Sequence, residues 1–170
     1  MRSLGAWSLS VALVAPLAAT AVASPAAAVV DARRPAVVEK RVIGHSVTGR
    51  DIVAWRLGDP RSSKKVLLLA AMHGNEKGAV TTLRSLRDGA PIRGADIWVV
   101  PVVNPDGYAR GTRQNARKVD LNRNFSASWR KAGGATSSGA KAFSEPETRA
   151  VRRFADRIDP THTISFHQPL

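Results

Sequence analysis

The sequence contains no cysteine among its 170 residues, which excludes disulfide bonds and all metal sites that depend on thiolate ligands. Metal binding would therefore have to use histidine and carboxylate side chains, and the chain has only four histidines and 13 acidic residues. Any exported form of the protein must hold together without covalent cross-links.

Acidic residues are also few in comparison with the 26 lysines and arginines, and the formal net charge is +13. Such a balance favours anionic partners, among which nucleic acid, acidic cell-wall polymers and carboxylate-rich peptides are the candidates. A nucleic-acid binder would lose affinity steeply with added salt. The sequence contains no nucleic-acid recognition motif, and we therefore expect no nucleic-acid partner.

Charged residues are absent from positions 4–30, a stretch rich in Ala, Val and Leu that follows Arg2. Small residues end the stretch and offer an A-x-A cleavage site at 26–28, with cleavage after Ala23 as the alternative. This is the layout of a secretory signal peptide. An uncleaved membrane anchor is the alternative, because the run is long enough to span a bilayer. Two prolines and the weak hydrophobicity of the run favour cleavage. We therefore predict a signal peptide over residues 1–28 and a secreted or cell-wall-associated protein without stable membrane insertion.

Cleavage after residue 28 leaves 142 residues with a formal net charge of +12, since Arg2 is lost. This length suits one domain with a real core. Residues 29–41 show no clear period and predict a linker, so the folded domain is expected over residues 42–170.

Predicted strands alternate with predicted helices in this domain. Strands are predicted within residues 45–58, 64–72, 96–103 and 162–167. Helices are predicted over residues 76–87 and 144–159. The second and third strands are continuous apolar runs, typical of strands that are buried on both faces of a parallel sheet. The order predicts an α/β fold, a three-layer α/β/α sandwich with a mixed, partly parallel sheet.

Three local signals refine this prediction. Ser144 and Glu147 form an S-x-x-E capping box at the start of the second helix. The stretch "NPDG" at 104–107 is a turn signal that ends the third strand. Residues 111–142 are polar, rich in Gly and Ser and without period, and they predict a long loop that is either functional or disordered.

Polar side chains follow three of the predicted strands, at His73, Asn104 and His167. Ligands bind at the carboxyl ends of strands in sheets of this kind. Glu76 lies three places after His73 in "HGNE", close enough for both side chains to reach one ion. Two histidines and one carboxylate leave a position open for water on zinc, which lowers the pKa of that water to about 7. Two unrelated polar residues at a strand end are the alternative interpretation.

Five further motifs follow "HGNE" in a fixed order. They are "NPDGY" (104–108), "TRQN" (112–115), "VDLNRNF" (119–125), "FSEPET" (143–148) and "SFH" (165–167). Together they resemble the zinc metallocarboxypeptidase family of the carboxypeptidase A type. Within that family the chain is most similar to the bacterial murein tripeptide amidases, which cleave γ-D-glutamyl–diaminopimelate bonds. The resemblance covers roughly residues 42–168, and the ordered combination is specific although each motif alone is modest.

The resemblance implies a role for several of these residues. His73, Glu76 and His167 match the three zinc ligands of the family. Arg113 matches the arginine that polarises the scissile carbonyl and stabilises the oxyanion, with the nearby Arg117 as the alternative.

The motif "LNRN" supplies a further implied role. Asn122 and Arg123 match the pair that holds a substrate carboxylate, and a planar guanidinium suits bidentate contact with a carboxylate.

A general base is not identified by the resemblance. The family's base is a glutamate on a late strand beyond the third zinc ligand, and this sequence ends three residues after His167. The late acidic residues Glu147, Asp156 and Asp159 belong to the second predicted helix or its end. We therefore expect the N-terminal portion of the family domain, incomplete at the C-terminus, with impaired turnover.

The resemblance implies a secreted zinc-dependent peptidase or amidase that hydrolyses a peptide bond near a substrate carboxylate. Murein peptides are the expected substrate. A non-catalytic zinc-containing module that binds the cell wall is one alternative. An aspartoacylase-like deacylase is the other, since it shares the H-G-N-E and D-L-N-R elements, but "NPDG" and "SEPET" do not favour it.

Overall fold

A five-stranded sheet organises the computed structural model, which describes residues 36–169. Its strands are β1 (Val37–His45), β2 (Asp51–Gly58), β3 (Lys65–Leu69), β4 (Asp96–Val100) and β5 (His162–Ser165). They lie in the order β1-β2-β4-β3-β5. The β1–β2 and β2–β4 pairs are antiparallel, whereas β3 runs parallel to both β4 and β5. The predicted mixed, partly parallel sheet is confirmed.

Helices cover both faces of this sheet. They are α1 (Lys77–Arg87), α2 (Pro105–Arg110) and α3 (Pro146–Ile158). On one face, Phe154 of α3 packs edge-on against Trp98 of β4, with ring centroids 5.0 Å apart. On the other face, Leu83 of α1 belongs to an apolar cluster with Leu68 and Val99. The three-layer α/β/α arrangement is therefore confirmed.

The central strands β3 and β4 explain the continuous apolar runs in the sequence. Leu67, Leu68 and Leu69 are all buried although their side chains alternate between the two faces. Each face is covered by a helix, so a strand at this position needs apolar residues on both sides. The strand pairing ends at Leu69, and residues 70–73 continue as buried irregular chain that leads into the "HGNE" motif.

The first strand corrects the prediction of a linker over residues 29–41. Strand β1 begins at Val37 and pairs with β2 from Val37 opposite Leu57 to His45 opposite Asp51. Its residues alternate between exposed and half-buried, because β1 lies at one edge of the sheet. The predicted signal peptide and the first part of the predicted linker lie outside the described residues. Within residues 36–169, no helix has the length and apolar character needed to cross a membrane.

The stretch "NPDG" begins a short helix instead of the predicted turn. Asn104 is the N-cap of α2 and accepts a hydrogen bond from the backbone N–H of Gly107, while Pro105 occupies the first turn. Gly111 ends the helix in the left-handed conformation. These are ordinary start and stop signals of a helix, and they outweigh the tendency of the four residues to form a turn.

The capping box predicted at Ser144 and Glu147 is wrong. Helix α3 begins at Pro146, so its N-cap is Glu145, and no side chain caps it. Glu147 is buried and accepts hydrogen bonds from the backbone N–H of Val47 and from Asn115. The carboxylate therefore connects α3 to the β1–β2 turn and to the long loop. It does not cap the N-terminus of α3.

The long polar segment 111–142 is irregular apart from two short 3-10 helices, Leu121–Arg123 and Gly134–Thr136. Asn124 organises it from within, although most of the segment is exposed. Its buried side-chain amide donates to the backbone carbonyl groups of Ser138 and Lys141 and accepts from the hydroxyl of Thr148. The loop is thereby fastened to α3, and it delivers the motif "VDLNRNF" to the carboxyl edge of the sheet.

Candidate metal centre

The path of the chain after β3 brings His73 to the edge of the sheet. Asn104 supports this path, because its backbone N–H donates to Ala71 and its side chain donates to the carbonyl groups of Met72 and Arg113. Of the three strand-end residues singled out in the sequence, Asn104 thus serves as scaffold. His73 itself has a side chain that is only 3% exposed.

Gly74 allows the "HGNE" segment to lie against α2. A Cβ atom at this position would clash with the backbone of Gly107 and Tyr108. The backbone N–H of Gly74 donates to the carbonyl group of Arg113 at 3.3 Å. The glycine is therefore needed for close backbone approach, and this contact sets the direction in which His73 and Glu76 leave the chain.

Glu76 lies between the two predicted histidine ligands. Its Oε1 atom is 2.8 Å from Nδ1 of His73, and its Oε2 atom is 3.0 Å from Nδ1 of His167. The two imidazole rings have their centroids 4.9 Å apart. Ligand atoms of all three residues fall within 4.8 Å of one another. The structure therefore brings together the three residues that the sequence motifs propose as metal ligands.

The donor set of this cluster fits zinc. Two imidazole nitrogens and one carboxylate converge, and a chain without cysteine offers no thiolate to replace them. Three protein ligands of this kind leave a position open, as in catalytic zinc sites. Glu76 is the N-cap of α1, yet its carboxylate makes no capping hydrogen bond because it faces the histidines.

Asp120 is a functional residue that the sequence reasoning missed. Its Oδ1 atom lies 2.9 Å from Nε2 of His73, and the carboxylate is fully buried. An ionised carboxylate can only accept, so Nε2 of His73 donates to Asp120, and Nδ1 is the ring nitrogen that faces Glu76 and the candidate metal position. The residue lies in the same motif as Asn122 and Arg123, but no spacing rule connects it with His73.

The electrostatics of the His73–Asp120 pair favour the charged forms. Burial by itself would lower the pKa of His73, but hydrogen bonds to Asp120 and Glu76 outweigh it, and the pKa is raised. Burial would likewise raise the pKa of Asp120, but the His73 hydrogen bond and the nearby Arg113 hold it below its ordinary value. The Asp120 carboxylate that contacts His73 is therefore held in its ionised form.

Arg113 is brought to the site through the same aspartate. Its Nε and Nη2 atoms donate to Oδ2 of Asp120 at 3.0 and 2.9 Å. The alternative Arg117 instead points toward Glu145, with 3.8 Å between the charged atoms. The geometry thus favours Arg113 over Arg117 as the arginine beside the metal ligands.

Asn122 and Arg123 lie in the 3-10 helix that begins directly after Asp120. The backbone N–H of Asn122 donates to Oδ1 of Asp120 at 3.0 Å, so the helix is anchored on the carboxylate that contacts His73. The guanidinium of Arg123 is exposed and donates weakly to the carbonyl group of Asn122 at 3.5 Å. Arg123 is therefore open to an external carboxylate.

The late acidic residues have contacts away from the histidine cluster. Glu147 is buried against Val47 and Asn115. Asp156 pairs with Arg152 on α3, and Asp159 ends that helix in the left-handed conformation. These contacts agree with the sequence argument that the three residues do not act as a general base.

The two remaining histidines lie elsewhere in the fold. His45 contacts Asp51 at the exposed β1–β2 end, with 3.0 Å between Nδ1 and Oδ1. His162 is exposed at the start of β5 and contacts the hydroxyl of Thr161.

A family model described as zinc carboxypeptidase matches residues 26–169 of this sequence. The match covers most of the chain and includes every motif that forms the site. The chain therefore belongs to the zinc carboxypeptidase family, a family of metal-dependent hydrolases.

Curated relatives fall into two groups within this family. Murein peptide amidase A of Escherichia coli K12 is 38% identical over 142 residues, an alignment that covers 75% of this chain and 58% of the relative. Carboxypeptidase B of Bos taurus is 29% identical over 158 residues, covering 74% of this chain and 38% of the relative.

Solved structures support the same fold. The murein-tripeptide amidase of Escherichia coli O157 superposes with a TM-score of 0.67 at 36% identity, covering 78% of this chain and 62% of that chain. Carboxypeptidase A of Helicoverpa armigera also gives a TM-score of 0.67, at 29% identity, with 80% of this chain and 42% of the other covered. The chain thus spans about three-fifths of the length of its amidase relatives.

Proposed function

We propose that the protein is a zinc-dependent peptide amidase that hydrolyses murein peptides at a bond close to a substrate carboxylate. Family membership supports a hydrolase that acts on peptides. The finer assignment is supported by the 38% identity to an enzyme named murein peptide amidase A. The proposed bond is the γ-D-glutamyl–diaminopimelate amide.

The observation that carries the proposal is the convergence of His73, Glu76 and His167. Their ligand atoms lie within 4.8 Å of one another and come from segments about 90 residues apart in the chain. We assign these residues as the zinc ligands. Zinc held there would supply Lewis-acid polarisation of the scissile carbonyl and a water of lowered pKa.

Residues of the loop 111–142 provide two further parts of the proposed site. Arg113 lies beside the ligands and is held by Asp120, so its guanidinium can stabilise negative charge that develops on the carbonyl oxygen. Arg123 is exposed and can bind a substrate carboxylate with its planar donor fork, next to the amide of Asn122. We assign Arg113 to oxyanion stabilisation and Asn122 with Arg123 to substrate binding.

A secreted or cell-wall-associated location completes the proposal. The uncharged stretch over residues 4–30 supports export, and the formal net charge of +12 that remains after loss of Arg2 suits an anionic wall. Mass spectrometry of protein collected from the culture medium tests this part. We expect a mature N-terminus near residue 29. A protein found only inside the cell, with residues 1–28 still attached, would contradict the proposed export.

The test of the activity is a hydrolysis assay on three substrates with zinc-loaded protein. They are a γ-D-glutamyl–diaminopimelate tripeptide, a peptide with a free C-terminal arginine, and N-acetylaspartate. We expect release of diaminopimelate from the first substrate, and none with the Glu76→Gln variant. Preference for N-acetylaspartate would support an aspartoacylase-like deacylase instead. Cosedimentation with murein without any hydrolysis would support the non-catalytic wall-binding module.

A further inference from the structure

His167 is held differently from the other two assigned ligands. His73 and Glu76 are buried, with side chains 3% and 6% exposed, and they follow each other closely in one loop. The side chain of His167 is 29% exposed and lies two residues beyond the end of β5. A ligand on such a segment needs other contacts to keep its ring in place, and the chain supplies two of them.

The first contact is made by Ser165, the last residue of β5. Its Oγ atom lies 3.1 Å from Nε2 of His167 and 3.8 Å from the sulfur of Met72. A serine hydroxyl can donate one hydrogen bond, and here the sulfur of Met72 can accept that bond. The oxygen then accepts from Nε2–H of His167. Nδ1 is then the ring nitrogen that faces Glu76 and the proposed zinc position, as it is in His73.

The second contact fastens the backbone after His167 to the helix that follows Glu76. The side-chain oxygen of Gln168 accepts a hydrogen bond from the backbone N–H of Gly78 at 2.9 Å. That N–H lies in the first turn of α1, where an N-cap side chain would ordinarily satisfy it. Glu76 occupies the N-cap position but makes no such bond. A Cβ at position 78 would lie 2.9 Å from Nε2 of Gln168, so the glycine leaves room for this contact.

We propose that Ser165 and Gln168 are positioning residues that hold His167 in ligand geometry, Ser165 through the ring tautomer and Gln168 through the backbone. The proposal rests on the assignment of His167 as a zinc ligand. Partners that orient a metal-bound histidine typically change metal affinity by about 10–100-fold. Gln168 takes over the capping of α1, so the helix and the third ligand are placed by one side chain.

The test measures zinc affinity by competition with a chromophoric chelator on the purified full chain. Ser165→Ala is expected to weaken zinc binding by about 10–100-fold. Gln168→Ala is expected to weaken it by about threefold to tenfold, as for the loss of one hydrogen bond. Ser165→Thr keeps the hydroxyl and Gln168→Glu keeps the acceptor, so both should retain nearly normal affinity. Ser85→Ala, at an exposed serine of α1, is the matched control and should bind zinc normally.

A second readout separates positioning from a merely structural role. Nitrogen-15 spectra of the zinc-loaded protein report which ring nitrogen of His167 binds the metal and which carries the proton. We expect Nε2–H in the unmodified chain and a mixture of tautomers in Ser165→Ala. An unchanged tautomer and unchanged zinc affinity in Ser165→Ala would overturn the role of Ser165. Normal affinity in Gln168→Ala would overturn that of Gln168.

His167→Ala distinguishes failure of this inference from failure of the ligand assignment. If His167→Ala lowers zinc affinity while the Ser165 and Gln168 variants do not, the positioning proposal is wrong and the ligand set stands. If His167→Ala binds zinc as tightly as the unmodified chain, the ligand set itself is wrong.

Discussion

The Nε2 atom of His73 lies 2.9 Å from Oδ1 of Asp120, and both side chains are buried. The two residues come from motifs that are 47 positions apart, so this contact joins the "HGNE" segment to the loop that carries Arg113, Asn122 and Arg123. The metal ligands and the proposed substrate-binding residues are therefore supported by one carboxylate.

Replacement of this carboxylate by an amide should weaken metal binding. We expect Asp120→Asn to reduce zinc affinity by about 10–100-fold, because an amide no longer restricts the proton of His73 to Nε2. Chelator competition measures the effect. Asp106→Asn is the matched control, since Asp106 is equally buried but contacts Ser46 and Thr48. It should lower stability without changing zinc affinity, and equal affinities in all three proteins would contradict the prediction.

Zinc should stabilise the fold by mass action. A ligand that binds only the folded state adds about 2.7 kcal/mol to the free energy of unfolding at 100 times its Kd. We expect the thermal midpoint to rise by several degrees with zinc and to fall back after chelation. The Glu76→Gln variant should lose most of this rise, whereas His45→Ala, at a histidine outside the cluster, should keep it. Differential scanning calorimetry with and without a chelator provides the comparison.

Gly74 should not tolerate a side chain. A Cβ there would overlap the backbone of Gly107 and Tyr108, and backbone atoms cannot move aside as a flexible side chain can. We expect Gly74→Ala to destabilise the protein by about 1–3 kcal/mol, as overpacking does, and to displace His73 from the site. Urea unfolding and zinc titration measure the two effects. Gly133→Ala is the control, because a Cβ at that position meets nothing within 4 Å.

The contribution of Glu147 to the free energy of unfolding should decrease as the pH rises. Burial raises the pKa of its carboxyl group, although hydrogen bonds from Val47 and Asn115 oppose the shift. The folded state therefore keeps the proton at pH values where the unfolded chain has released it. The free energy of unfolding then decreases with pH between the unfolded pKa and the raised folded pKa. Glu147→Gln should remove this contribution, and urea unfolding between pH 4 and 8 measures the slope.

Asp156→Asn is the control for this slope. Asp156 lies on the exposed side of the same helix, so the variant should retain the pH dependence of the unmodified chain. A Glu147→Gln variant with an unchanged slope would show that Glu147 does not bind a proton preferentially in the folded state.

Arg123 should contribute to substrate binding through its fork of donors. We expect Arg123→Ala to raise KM for a carboxylate-bearing peptide by about tenfold or more, since hydrogen bonds to charged groups are worth about 1.5–3 kcal/mol. Arg123→Lys keeps the charge but loses the planar fork, and it should recover only part of the loss. Steady-state kinetics test this role. Arg157→Ala, at an exposed arginine of α3, is the control. An unchanged KM in Arg123→Ala would show that Arg123 does not bind the substrate.

The central part of the fold could be predicted because burial on both faces leaves a clear pattern in the sequence. Strands β3 and β4 appear as continuous apolar runs, and α1 and α3 show apolar residues at helical spacing. Strand β1 could not be predicted in the same way. It lies at the sheet edge, its residues are only half-buried at best, and charged side chains such as Lys40 interrupt its apolar ones.

Some residues of the candidate site could likewise be predicted from the sequence, and others could not. His73, Glu76 and His167 could be proposed because imidazole and carboxylate groups at strand ends are unusual, and the ordered motifs supported them. Asp120 and Gln168 could not, because each acts through a partner that is 47 or 90 positions away. Sequence spacing carries information about neighbours on one element, whereas contacts between distant segments depend on how the whole sheet assembles.

The assigned metal site closes over a long stretch of chain. Glu76 and His167 are 91 positions apart, and the segment between them includes α1, β4, α2, the long loop and α3. Contacts of such high sequence separation form late, because the entropy of loop closure must be offset before they can contribute. Refolding chains would first offer zinc only the local pair His73 and Glu76. Tight zinc binding should therefore appear last during folding. Its appearance would report that every intervening element has folded.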